Sequence, residues 1–293
     1  MYVCGLNVKS FWLYTIQHTM QHPRFPDVIR AIIVEYTSEW RLIPWLCENE
    51  VDWWHLGRNN HPGAIELMLR NLDLVCWNTA SENPGMWPYM RDHKELIDYG
   101  NIDSNPHPEA WEHSVTNLDR LGGDGLEYLS VTPHTIDWLC KNTDYINYKY
   151  LSMNPSPIVE KILMDDPELI HWPNLHRNPA PWAIKLLRDN PDKYHPYLAG
   201  NPAGFDLLLE RAALAGKSIE EFADWTFLSW NPNPRAVDLV ITCPKRVNWM
   251  EYTKHPAAIK YLFQWKSKLD WETLWENPAI FELWTQSGLF ELL

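Results

Sequence analysis

The dipeptide Asn-Pro recurs along this 293-residue chain, at Asn83-Pro84, Asn105-Pro106, Asn154-Pro155, Asn178-Pro179, Asn201-Pro202, Asn231-Pro232 and Asn277-Pro278. Asn59-Asn60, Thr132-Pro133 and His255-Pro256 stand in the same register as imperfect copies, which gives a period of about 22–25 residues. A fixed period of that length marks an array of small supersecondary units. No such unit hides its own apolar face, so neighbours must stack and stability becomes a sum of unit and interface contributions.

Each unit reads as three parts. An Asn side chain accepts from free N–H groups of a first helical turn, and proline suits the first helical position because its missing N–H had no partner there. Asn-Pro is therefore expected to start a helix A. Copies with a second proline, such as Asn154-Pro155-Ser156-Pro157 and Asn178-Pro179-Ala180-Pro181, should start it two residues later. Apolar residues three and four apart follow, as in Ile259, Leu262 and Phe263 with Lys260 left outside, which is the pattern of a helix buried on one face. Polar or proline-containing turns such as Asp189-Asn190-Pro191 end it after two to three turns. A shorter helix B is expected after an Asp or Asn cap, at Asp52-Trp53, Asn248-Trp249 and Asp270-Trp271.

The slot after that cap holds Trp53, Trp77, Tyr99, Tyr148, Trp172, Trp225, Trp249 and Trp271, with Leu126 and His195 as exceptions. An aromatic ladder for bases or sugars would need these rings exposed. Their strict periodicity fits a core wedge between stacked helices instead. The fold class expected is all-α, an α-solenoid of about ten two-helix repeats over residues 37–284, with an N-terminal cap at 1–36 and a C-terminal cap at 285–293. Ten units at a helix-packing distance of roughly 9 Å would make a curved rod on the order of 90 Å long.

Composition excludes some partners. The formal net charge of −13 would repel a phosphate backbone, and no run of Lys and Arg exceeds two residues, so nucleic acid is not expected. No window approaches eighteen consecutive apolar residues, and the start lacks the layout of a secretion signal, so no membrane partner is expected either. Cys4, Cys47, Cys76, Cys140 and Cys243 are odd in number and form no CxxC pair. They read as reduced thiols, with Cys47 and Cys140 packed as small apolar residues, and imply a cytoplasmic or virion setting rather than secretion.

Two units carry insertions, Leu118–Gly125 and Ala212–Glu221, and insertions in arrays map to loops that often bind. Gly122, Gly123, Asp124, Gly216 and Lys217 are the candidate binding-loop residues. The second insertion should extend helix A and then restart at Ser218, with Glu221 completing a capping box. Gly216-Lys217-Ser218 resembles the end of a phosphate loop, but Arg211 occupies the place of the earlier glycine and no strand precedes it. His18 and His22 lie one helical turn apart without further ligand spacing. His195 is a candidate surface position because it replaces an aromatic. No nucleophile elbow or triad spacing occurs, so neither catalytic nor metal-binding residues nor a cofactor is expected.

The pattern seen as Leu151-Ser152-Met153-Asn154-Pro155 and Leu228-Ser229-Trp230-Asn231-Pro232 resembles the short Asn-Pro repeat proteins of giant amoebal and algal DNA viruses, over residues 40–284. That resemblance implies a viral repeat protein made inside the cell, and little about its partner. The expected function is a non-enzymatic scaffold that binds other proteins through an extended surface. The alternative is a structural part of a viral particle or assembly that self-associates through the apolar C-terminal tail. An enzyme with its site on a concave face is a third possibility.

Overall fold

The computed structural model describes residues 39–47, 50–121 and 125–284. The expected N-terminal cap, the His18–His22 pair, the Gly122-Gly123-Asp124 loop and the C-terminal cap lie outside these residues. The described chain is mostly helical, built of short α-helices and 3-10 turns with one two-stranded sheet.

The recurring asparagine organises the packing. Asn178 donates both amide hydrogens backward, to the carbonyls of Ser152 at 3.1 Å and Asn154 at 2.9 Å, while its oxygen accepts the Ala180 N–H at 2.9 Å. Asn83, Asn105, Asn154, Asn201, Asn231 and Asn277 repeat this three-bond pattern, each reaching the unit before it. All seven are buried. Burial of an amide is tolerated only when its donors are paired, and here the paired carbonyls are also ones that helix ends leave over.

This corrects the expected role of the asparagine. In six of the seven its oxygen accepts from the residue two further on before any helix begins, so it closes a turn rather than capping; Asn277 alone caps as expected, at the 3-10 turn Pro278–Ile280. The helix caps are later residues, His61, His107, Ser156, Ala180 and Asn233, followed by helices Pro62–Arg70, Pro108–Thr116, Pro157–Asp165, Pro181–Asp189 and Pro234–Val240. The start at the second proline is as expected. The extra turn moves the core: Ala183 and Leu187 are buried five and nine residues after Asn178, whereas Ala258 and Leu262 are buried three and seven after His255, which lacks the second proline.

Helix B is present as α1 (Trp53–Leu56) and as Trp77–Ser81, Tyr148–Leu151, Trp172–Leu175, Trp225–Leu228 and Trp249–Thr253. The central column of the core is not its aromatic but the residue three further on. Leu56, Ala80, Ile102, Leu129, Leu151, Leu175, Leu198, Leu228, Tyr252 and Leu274 all have 0% exposure. Of the aromatics only Trp225 is buried, Trp271 is exposed and the rest are half-buried. They are therefore not the fully buried column expected of them. A third element, a 3-10 turn such as Lys94–Leu96, Thr143–Tyr145 or Pro191–Lys193, joins helix A to helix B and was not expected from the sequence.

The next position carries a second ladder. The Ser152 hydroxyl donates to Tyr148 O at 3.0 Å and accepts from the His171 N–H at 3.0 Å in the following unit. Ser81 and Ser229 do the same for Asp98 and Asn248. A hydroxyl both donates and accepts, so one atom serves two units.

The asparagine ladder returns to its start. Asn59 donates to Trp275 O at 2.9 Å and to Asn277 O at 3.1 Å, and its oxygen accepts from His61 N–H at 3.0 Å. α1 packs against the 3-10 turn Thr273–Glu276. First and last units of Cys47–Ile280 are thus neighbours. The same backward rung that links each unit to the one before also links the first to the last. Two rungs differ: His255 supplies one bond, from Nε2 to Ser229 O at 2.9 Å, and Thr132 has no amide to give.

β1 (Glu39–Leu42) and β2 (Phe281–Trp284) pair antiparallel, in a register that sets Trp40 opposite Leu283, Arg41 opposite Glu282 and Leu42 opposite Phe281. Pro278–Trp284 was expected as a last helix A. It gives one 3-10 turn, Pro278–Ile280, and then a strand, because apolar Phe281 and Leu283 alternate around Glu282 and meet an apolar–charged alternation in the partner strand. The strands belong to one compact unit and Cys47–Ile280 forms a second. Cys47 and Cys140 are exposed, against the expectation of burial, because each sits at or beyond the end of its element.

Candidate functional site

The insertion after Ala212 builds a cavity. Helices α2 (Pro181–Asp189), α3 (Phe205–Leu214) and α4 (Ile219–Phe222) contribute to its walls. α4 starts as expected, with Ser218 and Glu221 forming a reciprocal capping box. Gly216 sits at φ 66°, the left-handed conformation that glycine adopts without strain. It ends α3 by donating to Ala213 O, while Lys217 N–H reaches back to Ala212 O, both at 3.0 Å. Gly216 and Lys217 are exposed and do not line the cavity; they form the turn that brings α3 and α4 together.

The cavity, about 360 Å³, is lined by Arg188, Tyr194, Leu207, Glu210, Arg211 and Phe222, with Pro191, Leu214 and Ala215 completing the wall. Leu214 is 86% exposed at its edge. Tyr194 and Phe222 rings lie 5.2 Å apart. Arg188 and Glu210 pair through two bonds of 3.0 and 3.2 Å.

Arg211 is the unusual member. It is only 9% exposed, yet it pairs with no carboxylate among the described residues. Its guanidinium donates to Leu187 O at 2.6 Å, in the last turn of α2, and to Pro191 O at 2.9 Å, just past its C-terminal end, where the helix dipole is negative. Its Nε is buried without a hydrogen-bond partner. Burial disfavours the charged form and lowers its pKa from the ordinary value. In the sequence Arg211 stands out only as the residue at the place of a missing glycine. Nothing in the linear pattern marks an arginine that will reach back to carbonyls of the unit before it.

His195 is not at this cavity. Its Nδ1 accepts from Tyr197 N–H at 3.3 Å, capping the 3-10 helix Pro196–Gly200, and its own N–H donates to Nε2 of His176 at 3.1 Å. His176 occupies the place of the ladder serines and reproduces their two bonds, the second from Nδ1 to Trp172 O at 2.7 Å. It is fully buried, and burial lowers its pKa to about 4. A depressed folded value means that the unfolded chain binds the proton first. Stability from this group is complete above about pH 6.5 and is lost as pH falls toward 4, by up to roughly 3 kcal/mol. His171, His195 and His255 shift in the same direction. Melting temperature should therefore fall between pH 7 and 4.5, and His176→Ser, which retains the bonding pattern, should flatten the fall. An unchanged slope in that variant would remove His176 as a source.

No protein-family model, curated protein or solved structure matches the chain. Among the described residues no helix is long and apolar enough to cross a membrane.

Proposed function

We propose that Cys47–Ile280 is an α-solenoid of ten units whose ends meet, and that it acts as a non-enzymatic scaffold binding an acidic, apolar-flanked segment of a partner protein at the Arg211 cavity. The observation that carries this reading is a buried guanidinium that, among the described residues, bonds to two carbonyls and to no carboxylate, although Asp192 and Glu210 lie near enough to act on its charge. An incoming carboxylate would form charge-assisted bonds in a low-dielectric place, where they are stronger than at the surface, and would relieve the charge that burial penalises. Tyr194, Phe222, Leu207 and Leu214 offer apolar area beside it. The one carboxylate of the lining, Glu210, is held by two bonds from Arg188, which suits a fixed wall better than a base. A viral-particle component remains the rival, favoured by exposed Met250, Phe263 and Trp271 as self-association contacts.

Affinity capture of the tagged protein from producing cells, compared with Leu214→Glu, tests the proposal. Leu214 contributes little to the core, so the variant should melt within about 1 °C of the parent while placing a like charge at the cavity edge. The expected result is a stoichiometric partner whose recovery falls at least about tenfold in the variant, the effect of a lost contact worth about 1.4 kcal/mol. Recovery only of the protein itself, or of particle proteins equally with both forms, would support the rival.

A further inference from the structure

We propose that Asp52, His55 and Glu272 bind a divalent transition-metal ion that ties the first unit of the array to the last. Asp52 and His55 belong to the first unit and Glu272 to the last, and one ligand atom from each lies within 4.8 Å of the other two. The elements that carry them, α1 and the segment entering Thr273–Glu276, are held together by the Asn59 bonds, so the backbone positions exist without an ion. The inference rests on this junction, not on the Arg211 cavity.

His55 supplies the second observation. Its Nδ1 is 3.1 Å from Asp52 Oδ1, yet that nitrogen is buried and has no hydrogen-bond partner. The atoms are close without the alignment of a donor and an acceptor. Two lone-pair atoms about 3 Å apart have the separation of adjacent ligands on an ion with bonds of about 2.0–2.2 Å. Asp52 Oδ1 also accepts the His55 N–H at 2.9 Å, which fixes the carboxylate against the ring. Nε2 of the same imidazole is 3.9 Å from Glu276 Oε1, a carboxylate placed to orient the ring from its far side. Lys254 lies 3.5 Å from the other oxygen of Glu276 and balances that charge, leaving the Asp52–His55–Glu272 set for the ion. Glu272 is exposed, so its side chain can adjust to a bond. One imidazole with two carboxylates suits zinc or a neighbouring first-row ion better than calcium, which takes six to eight oxygens.

An ion that needs ligands from both ends binds only when the ends meet, so it stabilises the joined form. Titration of the chelator-treated full chain with cobalt(II) should give a visible absorption band saturating at one equivalent and displaced by zinc. Zinc should raise the melting temperature by about 5 °C at a hundredfold excess over its dissociation constant. Both effects should weaken at least tenfold in His55→Ala and in Glu272→Gln; the second alters an exposed side chain and keeps the fold. Absence of a saturable band, or a band that persists in either variant because other histidines or cysteines hold the ion, would overturn the proposal.

Discussion

Asn178→Asp is expected to destabilise the protein more than Asn178→Ala, although aspartate is nearly the same size. The alanine variant leaves the carbonyls of Ser152 and Asn154 and the N–H of Ala180 without their shared partner, at a cost of about 2–4 kcal/mol. Aspartate keeps the Ala180 bond but sets a carboxylate, which has no hydrogens to donate, against two carbonyl oxygens in a buried place. That adds roughly 2 kcal/mol or more at neutral pH. The charged form is disfavoured in the fold, so the pKa of this aspartate would rise above its unfolded value of about 3.9. Its folded state then holds the proton to higher pH, and the variant should regain stability as pH falls from 7 toward 5, opposite in sign to the histidine effect. Denaturant midpoints at the two pH values measure this, with Asn190→Ala as a control that loses one partly buried bond, to Leu186 O. Equal midpoints for Asn178→Asp and Asn178→Ala would mean that the amide hydrogens contribute little.

The same residue shows where reading the sequence succeeds and where it stops. The Asn-Pro period located the units, the second proline located the later helix starts, and Ser218 with Glu221 located α4, because each signal acts on backbone within a few residues of itself. The role assigned to the asparagine failed because its decisive partners lie a whole unit away. A cap and a backward rung look alike in one dimension. The aromatic column misled for a related reason: large rings drew attention, but the column of zero exposure is made mostly of leucines, whose compact shape fits between units. β2 was missed because the repeat register promised another helix A, while an alternating run of four residues is too short to announce a strand by itself. Arg211 and the Asp52–His55–Glu272 group depend on contacts between units, which periodicity predicts to exist without saying which side chains will make them.

Joining of the ends has the sharpest consequence at Asn59. In an open array the first unit has nothing upstream, and an amide there would meet water at little gain. Here Asn59 is buried and donates to Trp275 O and Asn277 O as any internal rung does. Asn59→Ala should therefore cost about as much as Asn83→Ala, about 2–4 kcal/mol, whereas Thr132→Ala, at a slot with no rung to the unit before, should cost under about 1 kcal/mol. Hydrogen exchange separates the two variants further. Loss of an internal rung leaves its unit held from both directions around the array, but loss of the Asn59 rung frees α1 from Thr273–Glu276 and turns neighbours into two ends. Protection should then drop first in those two segments, which are more than two hundred residues apart in sequence. If Asn59→Ala matched Thr132→Ala in midpoint and left protection at Thr273–Glu276 unchanged, the ends would not be joined in solution. Both ladders would still stack the units, but the metal clasp would lose the junction it needs.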